Sequence, residues 1–320
     1  MLPALADPDM RTVAPEVLPE HLSVRAALLW SAAALDRAGV PSPRLDSEVL
    51  LANALGWKRA RLYAFPELEL PGDTRSLFAA LVERRSEREP VPYIVGHREF
   101  YGLDFLSDRR ALIPRPETEL LVERALQTAR GMGVPERELT LADVGTGSGA
   151  VAISLARHLP TSRVYATDSE QAALDLAAVN VQRHGLTRRI LLLQGSLLEP
   201  VPEPVHVVVA NLPYISTGNL RNLARDVVDY EPLAALDGGV DGLQWIGRLL
   251  AQAVRCLLPG GEIWLEIGAF QGAKAMELAR EHYPTAQVAV FQDYAHLDRN
   301  LHVQTAPSHD ALRMDDRPRL

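Results

Sequence analysis

From Ser23 onward, apolar residues recur at helical spacing. The stretch "SVRAALLWSAAALDRAGV" carries an apolar stripe that stops at Gly39, and "PRLDSEVLLANALGW" and "DTRSLFAALVERRSERE" repeat it. Asp73 or Thr74 is the expected cap of the third stretch. These segments predict a small helical module over 21–90. The period then changes. "EFYGLDFLSD" reads as a hairpin turning near Gly102, and "ALIPRPETELLVERALQTA" follows, with prolines ahead of a helix that carries acids in its first turn. From residue 139, strands alternate with helices: "LTLADV", "AVAISLARHL", "RVYATD", "QAALDLAAVNVQRHG", "RILLLQGS", "VHVVVAN" and "GEIWLEIG". Apolar strands separated by helices imply a mostly parallel sheet covered on both faces. "QVAVFQD" and "NLHVQT" have no helix between them and are expected to pair antiparallel. The pattern divides the chain into a flexible tail over 1–20, the helical module over 21–90, a hairpin linker over 91–115, an α/β domain over 116–306 and a second flexible tail over 307–320.

Composition narrows the class. With 47% hydrophobic and 23% charged residues, the 320-residue chain has the makeup of a globular protein, long enough for one large and one smaller domain. The formal net charge of −8 is not the basic footprint of a protein that binds through phosphates, so direct nucleic-acid binding is not expected. The single cysteine, Cys256, excludes a disulfide framework and a cysteine-based zinc site; on a helical apolar face it reads as core. The nine histidines show no metal-ligand spacing, so no metal is expected. No apolar run has the length of a membrane span, and the first residues lack the pattern of a signal peptide. The expected setting is the cytoplasm.

The first strand-to-helix turn of the α/β domain is "DVGTGSGAVA". Gly145, Thr146, Gly147, Ser148 and Gly149 take the form GxGxG rather than the dinucleotide form GxGxxG, at the place where ligands gather in open parallel sheets. Such glycines also occur merely to close a tight turn. The next strand ends on Asp168, which can accept both hydroxyl protons of a ribose; alone, it could equally cap the following helix, as could Ser169. Together the two features favour a ligand with an adenosine-like group. No Lys-Ser/Thr pair follows the glycines, which argues against a triphosphate. S-adenosylmethionine fits, because its sulfonium and amino acid need no phosphate cradle.

"VVVANLPYIS" ends a buried strand on Asn211, Leu212, Pro213 and Tyr214. A carboxamide or exocyclic amine has a delocalised lone pair, so a methyl-transfer site must hold the NH2 group by its two hydrogens. Asn211 offers a side-chain oxygen and Leu212 a backbone carbonyl. Pro213 restricts Leu212 to extended conformations, which aims that carbonyl. Tyr214 offers a flat face to a planar acceptor. Alone, the four residues would also suit a plain turn after a strand.

The chain resembles the HemK/PrmC protein methyltransferases through "PVPYIVGHREFYGLDF", "LIPRPETE", "DVGTGSGAVAISLA", "NLPYI", "YEPLAALDGGVDGL" and "LLPGGEIWLEIG". The GTGSG loop is widespread among methyltransferases, whereas "IPRPETE" with "YEPLAALDGG" is selective. The resemblance covers nearly the whole chain after residue 20. It implies an α/β fold: a seven-stranded, Rossmann-like class I methyltransferase domain with a small N-terminal helical domain and a β-hairpin linker. It implies methyl transfer from S-adenosylmethionine to the side-chain amide nitrogen of the glutamine in the GGQ motif of peptide chain release factors. Gly145 through Gly149 would then hold the methionine part of the cofactor, Asp168 the ribose, and Ser196 and Leu197 would lie along the adenine. Asn211, Leu212, Pro213 and Tyr214 would bind the glutamine. Leu212 stands where the family usually has proline, and the aromatic residue often found near Leu197 is missing.

Other readings stay open at the level of sequence. NLPY also resembles adenine-N6 methyltransferases acting on ribosomal RNA, against which the acidic balance and "IPRPETE" speak. A methyltransferase for a ribosomal-protein glutamine would share the clamp. A binding module without activity is disfavoured by the intact Asn211 and Asp168. His97, Arg98 and Glu99 could touch a protein substrate or form a solvated surface run. Phe100 and Tyr101 could wall a glutamine pocket or form the hairpin's core. Arg115, Glu117 and Glu119 could organise the mouth of the site or simply start a helix.

Overall fold

The computed structural model describes residues 21–306; the tails expected over 1–20 and 307–320 lie outside them. The chain divides into two compact units between Val95 and Gly96. In the first, the helices are α1 (Val24–Arg37), α2 (Pro43–Leu55), α3 (Arg59–Ala64), α4 (Gly72–Ser86) and α5 (Val91–Val95). Ser23 caps α1, its hydroxyl accepting from the Ala26 N–H at 3.2 Å, and left-handed Gly56 ends α2. The cap of α4 is Pro71, not Asp73 or Thr74: proline's fixed φ starts the helix earlier and leaves Asp73 in its first turn. Residues 91–95, assigned to the linker by the change of period, are helical, and Ile94 joins the core of this unit. That core holds Val24, Leu35, Leu50, Leu51, Leu62 and Phe78.

The second unit opens with β1 (His97–Phe100) and β2 (Leu103–Leu106), an antiparallel hairpin. Its turn residues Tyr101 and Gly102 both have positive φ, 51° and 73°. Next come α6 (Thr118–Gly131), β3 (Thr140–Val144), α7 (Ala150–His158), β4 (Arg163–Asp168), α8 (Gln171–Arg183), β5 (Ile190–Gln194) and β6 (Val205–Ala210). The chain continues through α9 (Arg225–Val228), α10 (Gln244–Cys256), β7 (Leu257–Glu266), α11 (Gly272–His282), β8 (Gln287–Gln292) and β9 (Asp298–Gln304).

The expected seven-stranded sheet is present, in the order β5-β4-β3-β6-β7-β9-β8, with β9 antiparallel to both neighbours, including the expected β8 partner. Alternating side chains feed two layers. Leu141, Val207 and Val209 pack with Leu121 and Val122 of α6 and Ile153 and Leu155 of α7. Ala142, Val208, Ile263 and Leu265 pack with Ile246 and Leu249 of α10 and Ala275 of α11. The chain runs outward from β3 through β4 to β5, then returns to β6 on the other side of β3. That reversal opens a crevice at the carboxyl ends of β3 and β6. Among the described residues no helix is long and apolar enough to cross a membrane.

Candidate active site

A cavity of about 740 Å³ fills the crevice. Its size suits a small-molecule ligand. Gly145, Thr146, Gly147 and Ser148 line it, as do Asp168, Ser196, Leu197, Asn211, Leu212 and Pro213. Gly145, Gly147 and Gly149 have φ of +73°, +55° and +82°, a left-handed backbone that glycine adopts without strain. A Cβ at Gly145 would stand 3.0 Å from a Leu212 methyl, so the loop also needs glycine for close approach to the strand end beside it. The N–H groups of Gly145 and Thr146 both donate to the Thr167 carbonyl at 2.9 Å, which ties the loop to β4.

Two carboxylates hold this loop, and only one of them, Asp168, stands out in the sequence. Asp168, at the end of β4, accepts from the N–H of Gly147 at 2.9 Å and of Glu170 at 3.0 Å, with burial raising its pKa. Its lone pairs exceed these two donors, so it can still receive a ribose hydroxyl. Asp143, at the end of β3, is the residue missed. It accepts at one oxygen, Oδ2, from the Thr146 hydroxyl at 2.7 Å and the Ala152 N–H at 2.9 Å, and burial pushes its carboxyl up to about 7. Asn180 of α8 is also new. Fully buried, it donates to the Ser148 carbonyl and pairs with both backbone groups of Leu106, joining the glycine loop to the hairpin.

Ser196 and Leu197 line the wall beyond β5, and Leu197 takes a left-handed φ of 53°. From α10, Trp245 and Arg248 add to the wall, the guanidinium 5.0 Å from the indole ring centre. The hydroxyl of Thr167 is buried without a partner at the cavity wall. The glycine loop, the Asp168 carboxylate at the end of β4 and a cavity of this volume fit S-adenosylmethionine.

Beyond β6, Asn211 Nδ2 donates to the Thr118 hydroxyl oxygen at 2.9 Å. Among the described residues no donor takes the Asn211 Oδ1, and Asn211 faces the cavity. Thr118, the first residue of α6, donates in turn to Glu266 at 2.7 Å, at the end of β7. Tyr214, expected to offer its ring to a planar acceptor, does not line the cavity. Its hydroxyl donates to the other oxygen of Glu266 at 3.3 Å, and burial, with Glu266 nearby, raises the phenol's pKa. The backbone around it is fixed by the segment that carries "LDGGVDG": Ile215 N–H donates to Leu236, Gly238 N–H to Ile215, and Gln271 Nε2 to the Tyr214 carbonyl.

Arg115 reaches the cavity wall and pairs with the buried Glu231 at 2.6 Å. Glu231 also accepts from the Ile113 N–H, so "IPRP" and "YEP" close on each other. Glu119 accepts from the Tyr101 N–H at 2.9 Å and so holds the hairpin turn. Phe100 is both core and wall: 1% exposed, it packs edge-on against Phe105 and still borders the cavity. His97 pairs across the hairpin with Asp104 at 2.8 Å. Among the described residues no cluster of His, Cys, Asp and Glu could hold a metal.

Residues 26–96 match the family model of the PrmC N-terminal domain, and residues 121–231 match that of ribosomal protein L11 methyltransferase (PrmA). The release factor glutamine methyltransferase of Moorella thermoacetica is 43% identical over 279 residues, 87% of this chain and 97% of that protein. The Rhodopirellula baltica protein of the same name is 37% identical over 89% of this chain and 97% of its own length. Among solved structures, a release factor-specific protein-(glutamine-N5) methyltransferase from Alicyclobacillus acidocaldarius is 29% identical, covers 61% of this chain and 95% of its own, and superposes with a TM-score of 0.38.

Proposed function

The chain belongs to the release factor glutamine methyltransferase family, and we propose that it moves a methyl group from S-adenosylmethionine to the amide nitrogen of the glutamine in the GGQ motif of release factors, in the cytoplasm. The observation that carries this is the Asn211–Thr118 hydrogen bond, which leaves the Asn211 carbonyl oxygen as an acceptor at the cavity wall. Asn211 Oδ1 and the Leu212 carbonyl take the two hydrogens of the substrate NH2. Holding both hydrogens turns the nitrogen lone pair toward the donor. When bound, S-adenosylmethionine would supply an activated methyl carbon for the nitrogen, with its sulfur leaving as the neutral thioether. The methylated nitrogen then sheds a proton to water, so a strong base is not required.

Asp168 and the loop from Gly145 to Gly149 hold the methyl donor, Ser196 and Leu197 border its base, and Arg115 and Phe100 border the glutamine. The helical unit, whose residues match the PrmC N-terminal domain, selects the protein substrate. The PrmA match covers only the catalytic part of the chain, so it gives a ribosomal-protein substrate less support. Labelled methyl donor incubated with a release factor, a ribosomal protein and ribosomal RNA tests the proposal. Label should appear on the release factor and vanish when its GGQ glutamine becomes glutamate. Label that persists in that variant, or goes mainly to RNA, rejects the assignment.

A further inference from the structure

We propose that Thr118 and Glu266 are positioning residues that set which end of the Asn211 side-chain amide faces the cavity. This rests on the assignment of Asn211 as an acceptor for the substrate NH2. The oxygen and nitrogen of a carboxamide have nearly the same shape, so only hydrogen bonds decide between the two orientations. Thr118 is 4% exposed and Glu266 1%, which leaves water little part in the choice. An ionised carboxylate only accepts, so the single hydroxyl hydrogen of Thr118 goes to Glu266 Oε2, at 2.7 Å. The Thr118 oxygen must then accept from its other neighbour, and Asn211 Nδ2 donates to it at 2.9 Å. Oδ1 is left for the cavity. The reversed amide would set an NH2 group against the substrate's own NH2, donor against donor.

The same chain of bonds makes the acceptor sensitive to one proton. Burial pushes the Glu266 carboxyl up to about 7; the Thr118 hydrogen bond, Arg299 of β9 and the Tyr214 hydroxyl oppose that rise, and Glu117 just before α6 adds to it. Arg299 is itself held by Asp293 at 3.0 Å. A protonated Glu266 can donate to Thr118. The Thr118 hydrogen is then free to turn to Asn211, which favours the reversed amide. Below the Glu266 pKa, the balance shifts toward an amide whose oxygen is turned from the substrate.

The test uses the full-length enzyme with its release factor and measures single-turnover rates from about pH 6 to 8.5, bracketing the Glu266 pKa. Thr118→Val, which keeps the shape and removes the hydroxyl, should lower the rate about tenfold or more at the alkaline end, with cofactor affinity changed less than about twofold. Thr118→Ser should recover most of the loss. The wild type should lose activity as pH falls through about 7, and Glu266→Gln should lack that limb. A second measurement needs no substrate. The side-chain NH2 signals of Asn211, identified by their loss in Asn211→Ala, should step in chemical shift near the same pH, and the step should vanish in Glu266→Gln. A wild type that shows this step but methylates no release factor leaves the positioning intact and removes the substrate assignment. If the NH2 signals show no step, or Thr118→Val matches wild type in rate and pH profile, the positioning role is overturned.

Discussion

Arg115 and Glu231, 116 residues apart in sequence, form a 2.6 Å ion pair beside the cavity. Glu231 is almost wholly buried, while the arginine side chain is 32% exposed. Among the described residues, removing the arginine leaves the buried carboxylate with the Ile113 N–H, at 3.3 Å, as its donor. Arg115→Ala should therefore destabilise the protein by about 1–3 kcal/mol, below the cost for a fully buried pair because water screens the arginine. Adding Glu231→Gln to Arg115→Ala should recover part of this loss, since the uncompensated charge is gone. Urea denaturation of the two single variants and the double variant checks it. Strictly additive effects would show that the pair is not coupled.

Asp143 makes stability depend on pH. Its folded carboxyl titrates near about 7, raised by burial from 3.8. The native state therefore keeps a proton that the unfolded chain has released, and the contribution of Asp143 to stability falls as pH rises from about 4 to about 7. Asp143→Asn imitates the protonated form. Its amide oxygen can keep both the Thr146 and Ala152 donors, because both go to a single oxygen. The variant should gain on wild type as pH rises through this window, by up to a few kcal/mol, and the gap should level off above about pH 7. Urea midpoints at several pH values measure the gap; one that shrinks with rising pH contradicts the account.

Gly238 lies against the clamp. A Cβ there would stand 2.7 Å from the Pro213 carbonyl oxygen and 2.8 Å from the Tyr214 Cα, backbone atoms that cannot swing aside. Gly238→Ala should push the Asn211–Tyr214 turn out of place and lower the transfer rate by about a hundredfold, since misplacement by an ångström has effects of that order. Cofactor binding, assigned in the proposal to the loop at Gly145 and to Asp168, should change far less. Gly218→Ala is the control, with nothing within 4 Å of its Cβ and no left-handed φ. Rate and cofactor affinity measured separately on both variants decide the point, and equal effects at the two positions would discount the crowding.

What could be read from the sequence was local. The glycine loop, Asp168 and Asn211 each sit in a short motif at a strand end, where strand–turn–helix order fixes their place. The sheet was legible for the same reason, because apolar strands announce themselves one by one. Partners joined only by the fold were not legible. Thr118 meets Asn211 across 93 residues and Glu266 across 148, and nothing in "PETE" or "LEIG" signals the pairing. Asn180 resembled any polar residue of an amphipathic helix until α8 set it against Ser148 and Leu106. Helices α3 and α5 are too short for a periodic pattern to show. The hydroxyl of Tyr214 meets Glu266 across 52 residues, a partner that "NLPY" does not announce either.

The two halves of the clamp should respond to mutation in opposite ways. In the proposed clamp Asn211 acts through its side chain, so Asn211→Ala should remove one of two acceptors for the substrate NH2. A placed group of this kind is typically worth about 2.7–4 kcal/mol at the transition state, or roughly 100- to 1000-fold in rate. The same proposal has Leu212 act through its backbone carbonyl, which Leu212→Pro retains, so the rate should stay within about tenfold of wild type. The leucine side chain has a separate role. It is 5% exposed, packs with Ala210 and Leu243 in the α10-side core, and lies against Gly145. Leu212→Pro should therefore cost stability, about 1–3 kcal/mol, through lost packing. Single-turnover rates at saturating cofactor, with urea denaturation on the same samples, separate the two effects. A Leu212→Pro enzyme that is folded but inactive, beside an Asn211→Ala enzyme that turns over normally, would show that the strand end is a structural turn and that the amide is held elsewhere.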